Sequence, residues 1–442
     1  MEKKLIILRN MTGILAASIC IGAILILAAY SLPTSRIYHN VDRSARIYEL
    51  EGHAPFWAGG VIHTRIDNFT DSIMLMKAAY PVENLIDSAF LNPSWKFIDS
   101  SPDAPVNTLV DVMKNERQAD GEIWYYPLYW HGYLVILKPM LMISPVHDLR
   151  VLNFYVQFFL MLTALFLFYQ RFGRNLTLAF ALTLLTLNPI TAAIDFQISD
   201  VFCIILLSTI FILRKNEMLL RGENYLYFFL LLGIVTVYVD FLTYPFAAFG
   251  ISLCLCVLIN EKNFLAMTPQ KVLAKLSAYL FAWGFGYVGM WAGKWILATV
   301  FTSDNVIMGA LGKALYRTSS TLSAAEGGGT FTFIDVLARN FSALFRGPLP
   351  VILALLIIYL IYILIRRKKK IFVTKSRLAA FAFIMLLPFL WYVVLKNHSY
   401  VHDYMAYRNL AVTIFAALCF FVGIREQGIL GIREQGAGNF RD

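Results

Sequence analysis

Apolar runs of about 20 residues, separated by short charged stretches, recur along most of the chain. A run of that length crosses the hydrocarbon core only as a helix, because in lipid every backbone N–H and C=O must find its partner within the segment. The pattern predicts an all-α polytopic membrane bundle of about ten spans, at 9–31, 151–170, 175–194, 198–213, 224–240, 242–259, 276–300, 347–365, 378–396 and 408–424. The first run follows a basic start, is too long for a signal-peptide core and lacks a small-residue cleavage site, so it reads as a retained span.

Basic residues fall between these runs, at Lys3/Lys4/Arg9, Arg171/Arg174, Arg214/Lys215/Arg221, Lys262/Lys271/Lys275, Arg366 to Lys370 with Lys375/Arg377, and Arg425/Arg433/Arg441. Placing all of them on the cytoplasmic side puts both termini inside and leaves two outer loops, 33–150 and 301–346. One apolar stretch, Trp130 to Ile143, is short and carries Lys138 and Pro139. As a full span it would invert every later loop, so it is expected as an interfacial or re-entrant element. The predicted organisation is a transmembrane domain over 1–424 and a cytoplasmic tail over 425–442, where GIREQGILGIREQG is a local duplication.

Composition agrees with a membrane address: 15% of the 442 residues are charged, against roughly 25% in soluble domains. The net charge of +10 is accounted for by the cytoplasmic loops, so no nucleic-acid partner is expected. All five cysteines lie within apolar runs, and neither a disulfide framework nor a zinc framework is implied.

Sorted by predicted side, the ionisable chemistry gathers on the outer face: Asp67, Asp71, His131, Asp240, His398, His402 and Asp403, with Asp195 and Asp200 on a further outer turn. Asp67 and Asp71 stand four apart in HTRIDNFTDSIMLMKAAYP, where Asp67, Asn68 or Thr70 caps a helix whose positive end favours charged carboxylates. A base that takes a proton from a sugar hydroxyl needs that placement; plain capping of a surface helix needs it equally. Asp240 is flanked by apolar residues at the outer lipid boundary and reads either as a functional intramembrane acid or as the cap of a turn with Thr243 and Pro245. In KNHSYVHDYMAYRN, His398 and His402 have the spacing of a metal pair but lack the glutamate of H-E-x-x-H. The two imidazoles with Tyr404, Tyr407 and Arg408 suit a ligand bearing phosphate and hydroxyl groups. The glycine triplet Gly327 to Gly329 after Glu326 reads as a hinge, a lid or a plain surface loop.

This layout resembles the GT-C class of integral-membrane glycosyltransferases: one span, a long outer loop bearing acids, an interfacial helix, then further spans to about ten. TRIDNFTDS is similar to the first-loop acidic motif of GT-C mannosyltransferases, and YWHGYLVILKPML and KNHSYVHDYMAYRNL look like stretches of bacterial GT-C-like proteins. The resemblance implies a multi-pass protein of the cell membrane whose outer-face site takes a polyprenyl-phosphate-linked sugar donor and passes the sugar to a glycan or lipid acceptor. It maps the catalytic acid to Asp67, with Asp71 as a second polar contact, and implies inverting transfer with an aspartate general base, Asp67 or, as the alternative, Asp71. Asp240, His131, His398, His402, Tyr407 and Arg408 are the expected substrate contacts, with Lys138 and Arg346 as further cations. Arg65 stands at the first acid of a D-x-D pattern, so a divalent cation is left open. Two rival classes are a lipid or polysaccharide flippase, since intramembrane acids also mark ion pathways, and an outer-face acyltransferase using His398 or His402 as base.

Overall fold

A computed structural model describes residues 2–114, 122–346 and 373–422, with isolated positions between 350 and 362. The chain is mostly helical, and among the described residues five helices are long and apolar enough to cross a membrane. The first is α1 (Glu2–Tyr30). The expected span at 347–365 falls largely outside the described residues, and the tail 425–442 does so entirely.

After α1 the segment expected as the first outer loop folds into a cluster of short helices. In α2 (Thr34–Glu51), Ile37, Asn40, Val41, Ser44, Ala45 and Tyr48 are buried, the three-four spacing of one helical face. That face covers α3 (Asn68–Ala79), which is buried from Asp71 to Ala79 because it has neighbours on all sides. The chain continues through α4 (Leu85–Leu91), β1 (Pro93–Trp95), α5 (Ala104–Met113) and β2 (Ile123–Tyr125). The two strands pair antiparallel, with Ser94 opposite Trp124, a small ribbon that an all-α expectation leaves out.

The interfacial stretch becomes α6 (Leu134–Leu141). Eight residues rise about 12 Å, far short of the roughly 30 Å a span must cover. It is pinned to α2 and α3: the Lys138 ammonium donates to the Ala78 carbonyl at 2.9 Å, and the Asn40 amide donates to the Leu141 carbonyl at 2.8 Å.

The helices that follow form the bundle. In α7 (Val146–Thr186), Gly173 interrupts the helix at φ 72° and ψ −176°, a conformation only glycine takes without strain. The expected span at 175–194 is divided: Asn188, at φ 59°, accepts from the Thr191 N–H and starts a separate short helix, α8 (Pro189–Ile194), with Pro189 at its first position. Next come α9 (Phe196–Leu220), α10 (Asn224–Val239) and α11 (Pro245–Ile259). At 16 and 15 residues, α10 and α11 are shorter than the usual span. α11 is buried along almost its whole length, as a helix apolar on every face must be, and forms the centre of the bundle. After α12 (Glu261–Leu265), the 33-residue α13 (Pro269–Phe301) packs along α10.

The segment expected as the second outer loop holds α14 (Val306–Thr318) and α15 (Phe333–Leu344). The helix Lys375–Val394, the short segment Lys396–Val401 and the last helix, Asp403–Val422, complete the described chain.

Candidate active site

Four chain segments meet at one end of the bundle: the N-terminus of α3, the N-terminus of α9, the α10–α11 turn and the segment 396–408. Their meeting is specified by hydrogen bonds between residues far apart in sequence. Asp67 is the N-cap of α3: its carboxylate accepts from the Thr70 N–H at 3.3 Å and from the Thr70 hydroxyl at 2.8 Å. Its own N–H donates to Asp195 Oδ2 at 2.7 Å, and Asp195 in turn caps α9 by accepting from the Ile198 N–H at 3.0 Å. The Tyr404 phenol donates to Asp67 Oδ2 at 2.8 Å, tying the first loop to the last helix. Oδ2 thus takes two hydroxyls, while Oδ1 takes only the long Thr70 N–H contact and is the less occupied oxygen.

Asp67 lines a cavity of about 630 Å³. Arg65, Arg317, Glu326, His398 and His402 share its wall, with Tyr126, Tyr129, Phe97 and Phe241 as aromatic neighbours and Tyr404 beside Asp67. The guanidinium of Arg65 lies over the Tyr404 ring at 4.1 Å, and its buried Nε has no hydrogen-bond partner among the described residues. Arg317 Nη1 donates to Glu326 at 3.1 Å and to Asn397 at 2.8 Å. A planar donor group of this kind suits a phosphate or carboxylate.

His398 and His402 face each other with ring centroids 4.6 Å apart. The Nε2 of His398 lies 2.6 Å from the Leu242 carbonyl, a contact that a neutral ring with its proton on Nε2 makes as donor. Burial pushes His398 down to about 3, and burial, with His398, Arg317 and Arg65 nearby, pushes His402 well below the ordinary histidine value. Both imidazoles are therefore neutral near pH 7 and supply no positive charge; the one N–H of His398 is given to Leu242, which leaves its unpartnered Nδ1 as an acceptor, while His402 has one N–H to donate. Among the described residues, no three His, Cys, Asp or Glu side chains gather as a metal-binding group.

The other residues singled out from the sequence lie behind this wall. Asp71 is one turn into α3 and fully buried; its Oδ2 accepts from the Phe196 N–H at 3.4 Å, and burial and the neighbouring Asp195 push its carboxyl upward. Asp195 is raised by burial and by the Asp67 carboxylate beside it. Asp240 caps the α10–α11 turn, accepting from the Thr243 N–H at 3.1 Å and from its hydroxyl, and so holds a loop in which Leu242 takes φ 67°. The Asp240 turn is the one whose Leu242 carbonyl contacts His398. Arg408 is fully buried: Nε donates to the Leu187 carbonyl at 2.8 Å and Nη1 to the Tyr404 carbonyl at 2.7 Å, with the Tyr407 ring 4.9 Å from the guanidinium. His131 lies 2.9 Å from the Tyr126 carbonyl and 3.2 Å from the Tyr133 hydroxyl, under the aromatic side of the cavity. Asp67, His398 and His402 thus share one cavity, while Asp71, Asp240, His131, Tyr407 and Arg408 support the elements that build it.

Two wall residues carry little signal in the sequence. Arg317 and Glu326 belong to the stretch between α13 and α15, where the Thr321–Thr330 bridge and the positive φ of Gly327, Gly328 and Gly329 close a compact turn. Ser323 caps that turn, and the Glu326 carboxylate accepts from the Ser323 N–H and the Tyr316 hydroxyl as well as from Arg317. The glycine triplet marks the turn; that the turn carries an acid to the cavity depends on tertiary placement. Comparison with protein-family models, curated proteins and solved structures finds no match to this chain.

Proposed function

We propose that the protein is a membrane glycosyltransferase of the GT-C type, moving a sugar from a polyprenyl-phosphate donor to a glycan or lipid acceptor at the outer face of the cell membrane. The reading uses the ten-span layout, with both termini cytoplasmic and the Asp67 end outward. The observation that carries it is the convergence on one cavity of an N-capping aspartate with a lightly occupied oxygen and two guanidinium groups with donors to spare.

In this mechanism Asp67 takes the proton of the acceptor hydroxyl through Oδ1 while Tyr404 and Thr70 hold Oδ2. The acceptor oxygen forms a bond to the anomeric carbon, and the bond from that carbon to the donor phosphate breaks on the opposite side, its electron pair leaving on the phosphate oxygen. The configuration inverts. Arg65 and Arg317 neutralise the charge that develops on the leaving phosphate, His398 accepts from a sugar hydroxyl through Nδ1, and neutral His402 bonds a sugar or phosphate oxygen. Arg408, assigned to the phosphate from the sequence pattern, acts in this mechanism through Tyr404, whose carbonyl it holds.

The test is transfer of label from polyprenyl-phosphate hexoses and pentoses by the purified protein in liposomes. Covalent transfer supports the reading. Movement of the lipid across the bilayer without transfer supports a flippase instead.

A further inference from the structure

A second hollow, of about 370 Å³, lies at the other end of α9. Arg214 is roughly 28 Å along that helix from Asp195, at 1.5 Å per residue, so this hollow is separate from the Asp67 cavity. Four cations line it: Arg171 from α7, Arg214 and Lys215 from α9, and Arg221 just past the end of α9, against one acid, Glu217. All four are exposed, and none is paired with a carboxylate among the described residues.

Backbone breaks shape the place. The interruption of α7 at Gly173 follows Arg171 by two residues, and α9 leaves helical geometry at Lys215, φ −120° and ψ 19°. Behind the cations, Asn216 and Asn260 exchange amide hydrogen bonds of 3.1 Å, and the Tyr225 hydroxyl donates to Asn216 at 2.5 Å, so the floor is fixed. Apolar Leu213, Met218 and Ile259 line the hollow beside the cations, and Tyr169 and Leu220, close in sequence to Arg171 and Arg221, are exposed. The 25 residues of α9 cover about 37 Å, more than the roughly 30 Å hydrocarbon core. With its other end at Asp195, the last turns of α9 reach headgroup depth.

We propose that this hollow binds the phosphate-bearing headgroup of an anionic membrane lipid, with the lipid's acyl chains against the apolar skirt. Several cations on a fixed floor suit a phosphate oxyanion, and the apolar surround suits a lipid rather than free phosphate. The proposal is independent of the glycosyltransferase reading. The opposing explanation is general positive charge on a cytoplasmic face, which any basic cluster would share.

The test uses full-length protein in zwitterionic phosphatidylcholine nanodiscs, titrated with phosphatidylglycerol, with retained lipid read by native mass spectrometry and the melting midpoint followed in parallel. R214Q/K215Q/R221Q is compared with K4Q/R9Q/K271Q, which removes the same charge from other basic stretches. Wild type is expected to retain phosphatidylglycerol over phosphatidylcholine, the hollow variant to bind it roughly tenfold to a hundredfold more weakly, and the control to match wild type. If the triple variant does not fold, R214Q and R221Q singly carry the comparison. Equal weakening in the control, no lipid preference in wild type, or stabilisation by inorganic phosphate with none by the lipid would overturn the proposal.

Discussion

His398→Gln tests the wall of the cavity without reference to the reaction. Glutamine keeps an N–H that can reach the Leu242 carbonyl, now 2.6 Å from His398 Nε2, but it does not titrate. Burial pushes His398 from 6.5 down to about 3. Between those values the unfolded chain binds a proton that the folded chain refuses, so stability is lost as pH falls below 6.5 and the loss continues until about 3. Since pH 5 lies about 1.5 units below the ordinary value, acidification from pH 7 to pH 5 costs the folded protein about 2 kcal/mol through this one group. His402 adds a loss of the same sign. The assay is the melting midpoint of the detergent-solubilised protein at pH 7 and pH 5, for wild type and H398Q. The variant is expected to lose about 2 kcal/mol less than wild type over that interval. An identical loss in both proteins would refute the placement of a buried, neutral imidazole against Leu242.

Tyr404→Phe keeps the ring under Arg65 but removes the hydroxyl bond to Asp67; a hydrogen bond to a charged group is worth about 1.5–3 kcal/mol, so kcat for sugar transfer should fall about tenfold or more with donor KM nearly unchanged. Arg317→Gln removes a charged donor from the cavity wall, and the donor KM should rise about tenfold or more, measured in the same assay; an unchanged KM counts against a phosphate contact. Asp71 is pushed toward its neutral form by burial and Asp195, so Asp71→Asn should leave transfer within about threefold of wild type, since the amide preserves a neutral group of the same shape.

The membrane bundle was legible because its cause is local: a long apolar run must be a helix in lipid. So was the α3 cap, since an acid before N-F-T-D is a local signal, and Asp67 takes that position. Breaks were harder to read. Asn188 and Pro189 end the predicted span at 175–194 early, a local turn that an apolar average passes over. The site was legible as an inventory more than as an arrangement. Asp240 and Arg408 are conspicuous as charges in apolar surroundings, yet one holds a turn and the other two carbonyls, since a buried charge must be satisfied whatever its role. Arg317 carries no local mark of importance, and Arg65 and Glu326 are marked only by their neighbours, the α3 cap and the glycine triplet; the packing of these two segments against 396–408 brings all three to the cavity.

The central claim is that Asp67 removes the acceptor proton. Wild-type protein and Asp67→Asn, each reconstituted in liposomes and matched for insertion and melting midpoint, should be given the same labelled polyprenyl-phosphate sugar and acceptor. Wild type should transfer the sugar, and the variant should lose at least about a hundredfold of that rate. Transfer at the wild-type rate by D67N would contradict the claim.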